Sequence, residues 1–447
     1  MLIPYIVYAM NEKILGRDTL KRYRELKKAE RYSAEELREM QFRKLKALLI
    51  HAYSYVEHYK EVFDASGFDP REMKCLDDLR AIPILTKDEI KSNIKKFISR
   101  DKKIKLALAK KSGPISPPLR FYRSKERASA DKAAYLMLYE LWDLNIGDRE
   151  AVLWGSYYEV PKYNIAKRIR DYFLHTRFLQ TWKMDKETLY GYIAFLKNYK
   201  PKNVLAYGQS AHLLAAFAKN RGLTLRDAGV KVVFTIGEQL NDAARQLVEE
   251  VFGCPTAYCF GGNDILMAFE CPQRQMHLNP CIITETVKGN RAVGAGEKGE
   301  IVVTDLDSYG IPVIRYRTFH EGIIGGEERC GCGRPFPVLK QVSDRDSDYI
   351  INMNKDFLHP LLLECVFSHV EGIDCFKIVQ KKEDELVIDL AVNRHFDKNI
   401  EPVIRNEVCK VMGGPVKQII RFVAAEDILK NNKFRFTVTS EIVDKYL

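Results

Sequence analysis

Two periods of hydrophobic and polar positions share this chain, and the switches between them mark out its elements. Over residues 33–49 (SAEELREMQFRKLKALL) apolar side chains recur at steps of three and four, which predicts a helix. Ser33 can cap it, and Glu36 three residues on completes a capping box. Aromatic residues continue at helical spacing over 51–63 and are most simply core. Pro83 interrupts the pattern, and Thr86 with Glu89 opens another capped helix. Residues 129–144 are again amphipathic. Further on the period shortens. The apolar runs at 151–156 (AVLWGS), 204–208 (VLAYG) and 230–236 (VKVVFTI) predict buried strands. Helical stretches follow them from about 162, at 211–219 and at 241–252, and strands alternating with helices predict a parallel α/β core.

After a turn at Gly296 and Gly299, residues 300–304 alternate as a strand with Ile301 and Val303 on one face. Residues 312–318 predict a second strand, carrying Arg315 and Arg317 into a turn, a suitable place to meet an anion. Residues 375–389 alternate apolar with charged, and 398–412 suit a helix, so the chain from about 343 reads as a small α+β unit.

The 447 residues, 46% of them hydrophobic, allow two or three domains with a sizeable core, so disorder is not the default expectation. No fixed repeat or long low-complexity linker stands out. A formal charge of +11 suits acidic partners such as nucleotides, or is solubilising surface charge. No basic run interleaved with aromatics suggests a nucleic-acid groove, so no nucleic-acid partner is expected. Ten scattered cysteines without a secretory leader imply a reducing, cytoplasmic setting. Residues 1–10 (MLIPYIVYAM) are apolar but too short to span a bilayer, so integral membrane association is not expected. The simpler expectation is a segment packed on the body, with a membrane-surface contact as the alternative.

Cys271, His277, Cys330 and Cys332 form the sharpest metal candidate, as C-x5-H and C-x-C. Zinc takes four such ligands in a tetrahedron, commonly from tight turns, and Gly331 and Gly333 make the second pair turn-like. The spacing is not the C-x-x-C of a redox pair. The other reading is unpaired small hydrophobes, as expected for Cys254, Cys259, Cys281, Cys365, Cys375 and Cys409.

The sequence GEKGEIVVTDL, followed by IPVIRYRT, CGCGR and the Arg/Asp turn at 344–348, resembles the adenylate-forming superfamily, in its phenylacetate–CoA ligase (PaaK/CapK-like) branch. Residues 41–93 resemble that family's N-terminal signature. The resemblance implies an α/β adenylate-forming enzyme fold, with a large multi-sheet N-terminal domain (1–342) and a small mobile α+β C-terminal lid (343–447). Relatives carry the same Cys/His pattern, which implies a structural Zn2+.

The resemblance assigns roles residue by residue. The phosphate loop, T-S-G-S-T-G-x-P in the family, reads Lys111-Ser112-Gly113-Pro114-Ile115-Ser116-Pro117-Pro118 here. Ser112 and Gly113 match; Pro114 and Ile115 replace hydroxyl residues, and Lys111 can supply a point charge. Gly237-Glu238 matches a turn bordering the acyl pocket. In place of Y-G-x-T-E stand Phe260, Gly261, Gly262, Asn263 and Asp264, with Phe260 either an adenine platform or core, and Asp264 a carboxylate for Mg2+. The family follows RYRT with Gly-Asp, whose aspartate binds the ribose; here Phe319 and His320 follow, and His320 cannot offer two carboxylate oxygens. Arg345 and Asp348 keep the hinge motif, which has lost its glycine. Lys433, before Phe434-Arg435, matches the lysine that enters the site during adenylation, and Arg317 is the other catalytic candidate.

The implied chemistry is attack of a small carboxylic acid, aryl acids among the candidates, on Mg·ATP, giving an acyl-adenylate and then transfer to coenzyme A, an amine or a carrier-protein thiol. A homodimer is compatible with it. Two rivals stand beside it: a degenerate homologue that keeps the fold without adenylation, and an acyltransferase that does not use ATP.

Overall fold

Helices begin where the sequence supplies caps. The computed structural model describes residues 2–111, 119–154, 165–262, 265–326, 330–343, 349–367, 370–429 and 437–438. It opens with α1 (Leu2–Ile14), α2 (Thr19–Ala29), α3 (Ala34–Tyr55) and α4 (Glu57–Ser66). At the start of α3, Glu36 N donates to Ser33 Oγ at 3.1 Å and Ser33 N donates to the Glu36 carboxylate at 2.7 Å, the expected capping box. A second box, Thr86 with Glu89, opens α5 (Lys87–Ser92). α3 runs past the predicted end at 49 and stops at Tyr55, where Val56 turns extended. Tyr59 and Phe63 of α4 are fully buried beside Leu45 and Leu48, so these aromatics are core.

After α6 (Ile94–Phe97), the antiparallel hairpin β1 (Leu106–Lys111) and β2 (Leu119–Ser124) holds the two ends of the predicted phosphate loop. The loop itself, 112–118, lies outside the described residues. α7 (Lys125–Leu141) starts earlier than predicted because Ser124 caps it, its hydroxyl accepting from Arg127 N.

The α/β core follows in chain order as β3 (Glu150–Leu153), α8 (Ile165–Phe173), β4 (Thr176–Leu179), β5 (Lys183–Met184), α9 (Lys186–Tyr199), β6 (Asn203–Tyr207) and α10 (Gly208–Lys219). β7 (Val232–Ile236), α11 (Asp242–Phe252), β8 (Thr256–Gly262), β9 (Ile265–Glu270) and β10 (Met276–Leu278) complete it. The central sheet has seven strands in the order β10-β9-β8-β7-β6-β3-β4. The strands from β8 to β4 run parallel, whereas β9 and β10 are antiparallel additions. All three predicted strands lie in its middle, and their side chains are buried on both faces, as apolar runs in a helix-covered sheet require.

A second, antiparallel sheet has the order β12-β11-β13-β14-β15, from β11 (Ile282–Lys288), β12 (Arg291–Ala292), β13 (Lys298–Asp305), β14 (Tyr316–Ile324) and β15 (Leu339–Val342). The strand expected at 300–304 is realised with Ile301 and Val303 on one face, and Val302 is buried as well, so β13 is covered on both faces. One expectation is corrected. The strand expected at 312–318 begins only at Tyr316, and Arg315 precedes it in a left-handed conformation, φ 49°. The cause is its buried guanidinium, which forms two 3.1 Å contacts to Glu285 and donates to the carbonyls of Arg80 and Ile82. Arg315 pins the N-terminal helices to this sheet and is not offered to a ligand.

Beyond residue 343 the chain stays tied to the central layer for a stretch. β16 (Ile350–Ile351) and β17 (Phe357–Leu358) pair with β5 in a small sheet. After α12 (Leu361–Phe367) come β18 (Ile373–Lys382), β19 (Glu385–Val392), α13 (Glu401–Met412), β20 (Lys417–Phe422), α14 (Ala425–Leu429) and β21 (Thr437–Val438). The sheet β20-β19-β18-β21 and its helices close over a separate core that includes Leu363, Phe367, Ile388, Ile404 and Met412, the predicted α+β arrangement.

Candidate functional site

Parallel pairing sets the carboxyl ends of neighbouring strands in rank. Leu153 lies opposite Ala206, Tyr207 opposite Ile236, and Ile236 opposite Cys259. The chain leaves the sheet near this level at Trp154 after β3, Tyr207 at the end of β6 and Gly237-Glu238 after β7, beside Phe260 within β8. Ligands of open α/β sheets bind in this position. The turns after β6 and β7 touch backbone to backbone: a Cβ on Gly208 would lie 2.5 Å from the Glu238 carbonyl oxygen. Gly237 has φ +84°, and a Cβ there would meet the Tyr207 ring at 3.2 Å. Glu238 is buried and accepts from Gln209 N at 3.4 Å.

An aromatic wall borders this edge. Trp154 stacks on Tyr207 with centroids 4.4 Å apart, and Tyr207 meets His359 at 4.8 Å. His359 lies 5.5 Å from the Tyr349 ring, whose hydroxyl is 2.9 Å from Ser210 Oγ. Sequence reading missed this wall. The rule that ligands sit at strand ends would have found Tyr207, near the end of a predicted strand, whereas Trp154 falls inside the predicted strand 151–156 and marks an end only because β3 stops at Leu153. His359 and Tyr349 carry no local signal, because the small β16–β17 sheet brings them in from beyond residue 343.

Burial pushes the His359 imidazole down to about 3. Unfolded, it titrates near 6.5, so between these values the unfolded chain binds one more proton and stability rises with pH. This contribution is complete above about 6.5 and is lost as the pH falls. Denaturant unfolding is expected to show stability declining below that point by up to about 1.4 kcal/mol per pH unit, with His359→Asn removing that share of the slope. An unchanged slope in the variant would refute the assignment.

On the other side, the Phe260 ring is only 2% exposed and meets His320 edge-on, 5.1 Å and 88°. His320 Nδ1 is 2.9 Å from the Ser343 carbonyl oxygen; a carbonyl only accepts, so Nδ1 carries the proton. Glu321 N donates to Ser343 Oγ at 2.9 Å. His320 thus joins β14 to the point where the chain leaves for its last part. A Cβ on Gly261 would fall 2.2 Å from the Ile265 carbonyl oxygen, a close approach that needs glycine. Arg317 pairs with Glu300 at 3.4 Å and donates to the Gly289 carbonyl at 3.1 Å, at the turn between β11 and β12. Lys111 ends β1. Ser112, Gly113, Asp264, Arg345 and Lys433 lie outside the described residues. Of the sequence candidates for this edge, the fold brings together Gly237 and Glu238 on one side, and Phe260, Gly261 and His320 on the other.

The four metal candidates do come together. One donor atom from each of Cys271, His277, Cys330 and Cys332 lies within 4.8 Å of all the others. A bridge between His277 and Val338 folds the cysteine turn back onto β10. Cys271 Sγ is 3.7 Å from Cys330 Sγ, and Cys332 Sγ is 3.2 Å from His277 Nε2. Thiolates about 2.3 Å from one tetrahedral ion lie about 3.8 Å apart, whereas a disulfide needs about 2.05 Å. His277 Nδ1 is 3.1 Å from the Phe336 carbonyl oxygen, which fixes the proton there and leaves the Nε2 lone pair on the cysteine side. Burial lowers the His277 pKa, which keeps the ring neutral, as a ligand must be. The donor set fits zinc.

Comparison with known proteins agrees with this geometry. No family model matches the chain. It is 22% identical over 365 residues to protein CapK of Staphylococcus aureus, covering 78% of this chain and 77% of the relative. It is 21% identical over 402 residues to a phenylacetate–coenzyme A ligase of Thermus thermophilus, covering 84% and 86%. Among solved structures, 2-hydroxyisobutyryl-CoA ligase bound to 2-HIB-AMP and CoA in its thioesterification state superposes with TM-score 0.64 at 18% identity, over 92% of this chain and 91% of that one. The fold is that of the adenylate-forming ligases, as the sequence resemblance implied.

Proposed function

We propose that this homologue of CapK and the phenylacetate–coenzyme A ligases is an acid–thiol ligase working through an acyl-adenylate. The observation that carries the proposal is the rank of Trp154, Tyr207, Gly237-Glu238 and Phe260 along one sheet edge, beside the strand that leads through His320 into residues 343–447. The acid sits along the aromatic wall of Trp154, Tyr207 and Tyr349, which favours an aryl or other apolar acid over a charged one. Lys111, Ser112 and Gly113 serve the phosphates, and Asp264 offers a carboxylate to Mg2+. Lys433 neutralises the charge that develops as the acid carboxylate attacks the α-phosphate, expelling pyrophosphate. Residues 343–447 act as the lid, with Arg345 at its hinge, and its rotation admits coenzyme A for thioester formation. An amine or a carrier thiol is the variant of that second step. The Cys271/His277/Cys330/Cys332 cluster holds a structural zinc apart from the chemistry. Incubation with ATP, CoA and a panel of acids, followed by mass detection of acyl-CoA, tests the reading. No thioester from any acid would argue against it.

The degenerate-homologue reading draws on one feature, His320. Its ring is tied to the Ser343 carbonyl and offers no carboxylate to a ribose. Loss of such a charged hydrogen-bond pair costs about 1.5–3 kcal/mol, roughly tenfold to a hundredfold in affinity. ATP is expected to bind in the millimolar range by calorimetry, and Phe319→Gly with His320→Asp is expected to tighten it about tenfold or more. Micromolar affinity in the unmodified chain would remove the basis of the degenerate reading. No detectable binding even in the double variant would favour it.

A further inference from the structure

α1 leaves a row of aliphatic side chains outside and buries its one carboxylate. Its inward face carries Pro4, Tyr8 and Glu12, and Glu12 is 3% exposed, bonded to the Thr19 hydroxyl and paired with Arg17 at 3.4 Å. Its solvent face carries Leu2, Ile3, Ile6, Met10 and Ile14, which are 45–80% exposed. α8 lies beside α1 and repeats the arrangement. Ile169, Tyr172 and Phe173 are 53%, 63% and 41% exposed, while Asp171 is buried and paired with Arg170. Both carboxylates of the two helices are thus spent inside, and the charged side chains left exposed on them, Lys13 and Arg168, are cationic. More cations flank the exposed rings: Lys167 Nζ is 5.2 Å from the Phe178 ring centre and the Arg177 guanidinium 5.3 Å from that of Tyr172.

We propose that this two-helix face seats the protein on an anionic lipid surface as a peripheral contact. Scattered apolar residues on a surface need no explanation, but five on one side of one helix, with three more exposed on the helix packed beside it, are a concentration that does. An α-helix of 13 residues is about 20 Å long, shorter than a hydrocarbon layer of about 30 Å, so α1 lies in the interface rather than across it. Among the described residues no helix is long and apolar enough to cross a membrane. A second copy of the chain fits less well. A two-fold contact would set these cations against each other, with no exposed carboxylate on either helix to meet them. A lipid surface supplies both an apolar layer and anionic headgroups, and it demands no shape match from a projecting ridge. This face is independent of the ligase reading.

Cosedimentation of the full chain with vesicles provides the test. Binding to mixed phosphatidylcholine–phosphatidylglycerol vesicles is expected, about tenfold or more weaker on phosphatidylcholine alone and weaker as salt rises. Ile6→Ser with Met10→Ser should reduce binding about tenfold or more by removing buried apolar area. Lys13→Glu with Arg168→Glu should do so to a similar extent through charge. All four positions are exposed, so an unchanged melting temperature is expected and serves as the folding control. No binding to anionic vesicles at low salt would overturn the proposal, as would binding indifferent to both double variants. So would self-association in ultracentrifugation that Ile6→Ser with Met10→Ser abolishes while vesicle binding is absent, which would make the face a dimer contact.

Discussion

Metal analysis of the purified chain is expected to return about one zinc per molecule, and stripping it is expected to be the largest single loss of stability available short of unfolding. Structural zinc in small domains is held with an apparent free energy of about 10–16 kcal/mol, and binding of that size is linked to folding. The cluster joins two distant parts of the chain. Cys271 and His277 come from the antiparallel edge of the central sheet, and Cys330 and Cys332 from the turn before β15. Without the ion, three thiols and an imidazole share a largely buried space with little other reason to converge. Cys332→Ser should release the metal and lower the melting temperature, and Cys281→Ser, outside the cluster, should leave the zinc in place. A metal-free preparation whose stability ignores a chelator would show that the cluster is only packing.

Lys433→Ala is expected to lower adenylation by about 10²–10³, the cost of removing one group that stabilises charge developing in a transition state. ATP affinity should change little, because the lysine acts on the attacking carboxylate and α-phosphate only as they react. The outcome separates a catalytic lysine from a solvated one in a basic tail. Equal losses in binding and rate would mean that Lys433 serves the ground state, and an unaltered rate would mean that the residue is misassigned.

What was legible in the sequence was whatever is decided locally. Both capping boxes, Ser33/Glu36 and Thr86/Glu89, are realised because their hydrogen bonds close within three residues. The strands ending at Leu153, Tyr207 and Ile236 were visible because a sheet covered on both faces needs unbroken apolar runs. The Cys/His cluster was found because ligand chemistry is specific even across a long gap. Arg315 was misplaced onto a strand, because what holds it is distant: Glu285 and two carbonyls near residue 81. The aromatic wall failed for the same reason, since His359 reaches Tyr207 only through the pairing of β17 with β5. α1, expected to pack on the body, does so by the face of Pro4, Tyr8 and Glu12, and its aliphatic side chains Leu2, Ile3, Ile6, Met10 and Ile14 are left outward.

The central claim is that this chain makes an acyl-adenylate, and acid-dependent exchange of labelled pyrophosphate into ATP tests it most directly. The reaction reports the first half-step alone, so it requires neither knowledge of the acceptor nor lid rotation. At millimolar ATP, exchange is expected with at least one apolar or aryl acid from a broad panel, faster in Phe319→Gly with His320→Asp and nearly abolished in Lys433→Ala. Exchange that stays at background for every acid, in the double variant as well and with ATP shown to be bound, would contradict the account.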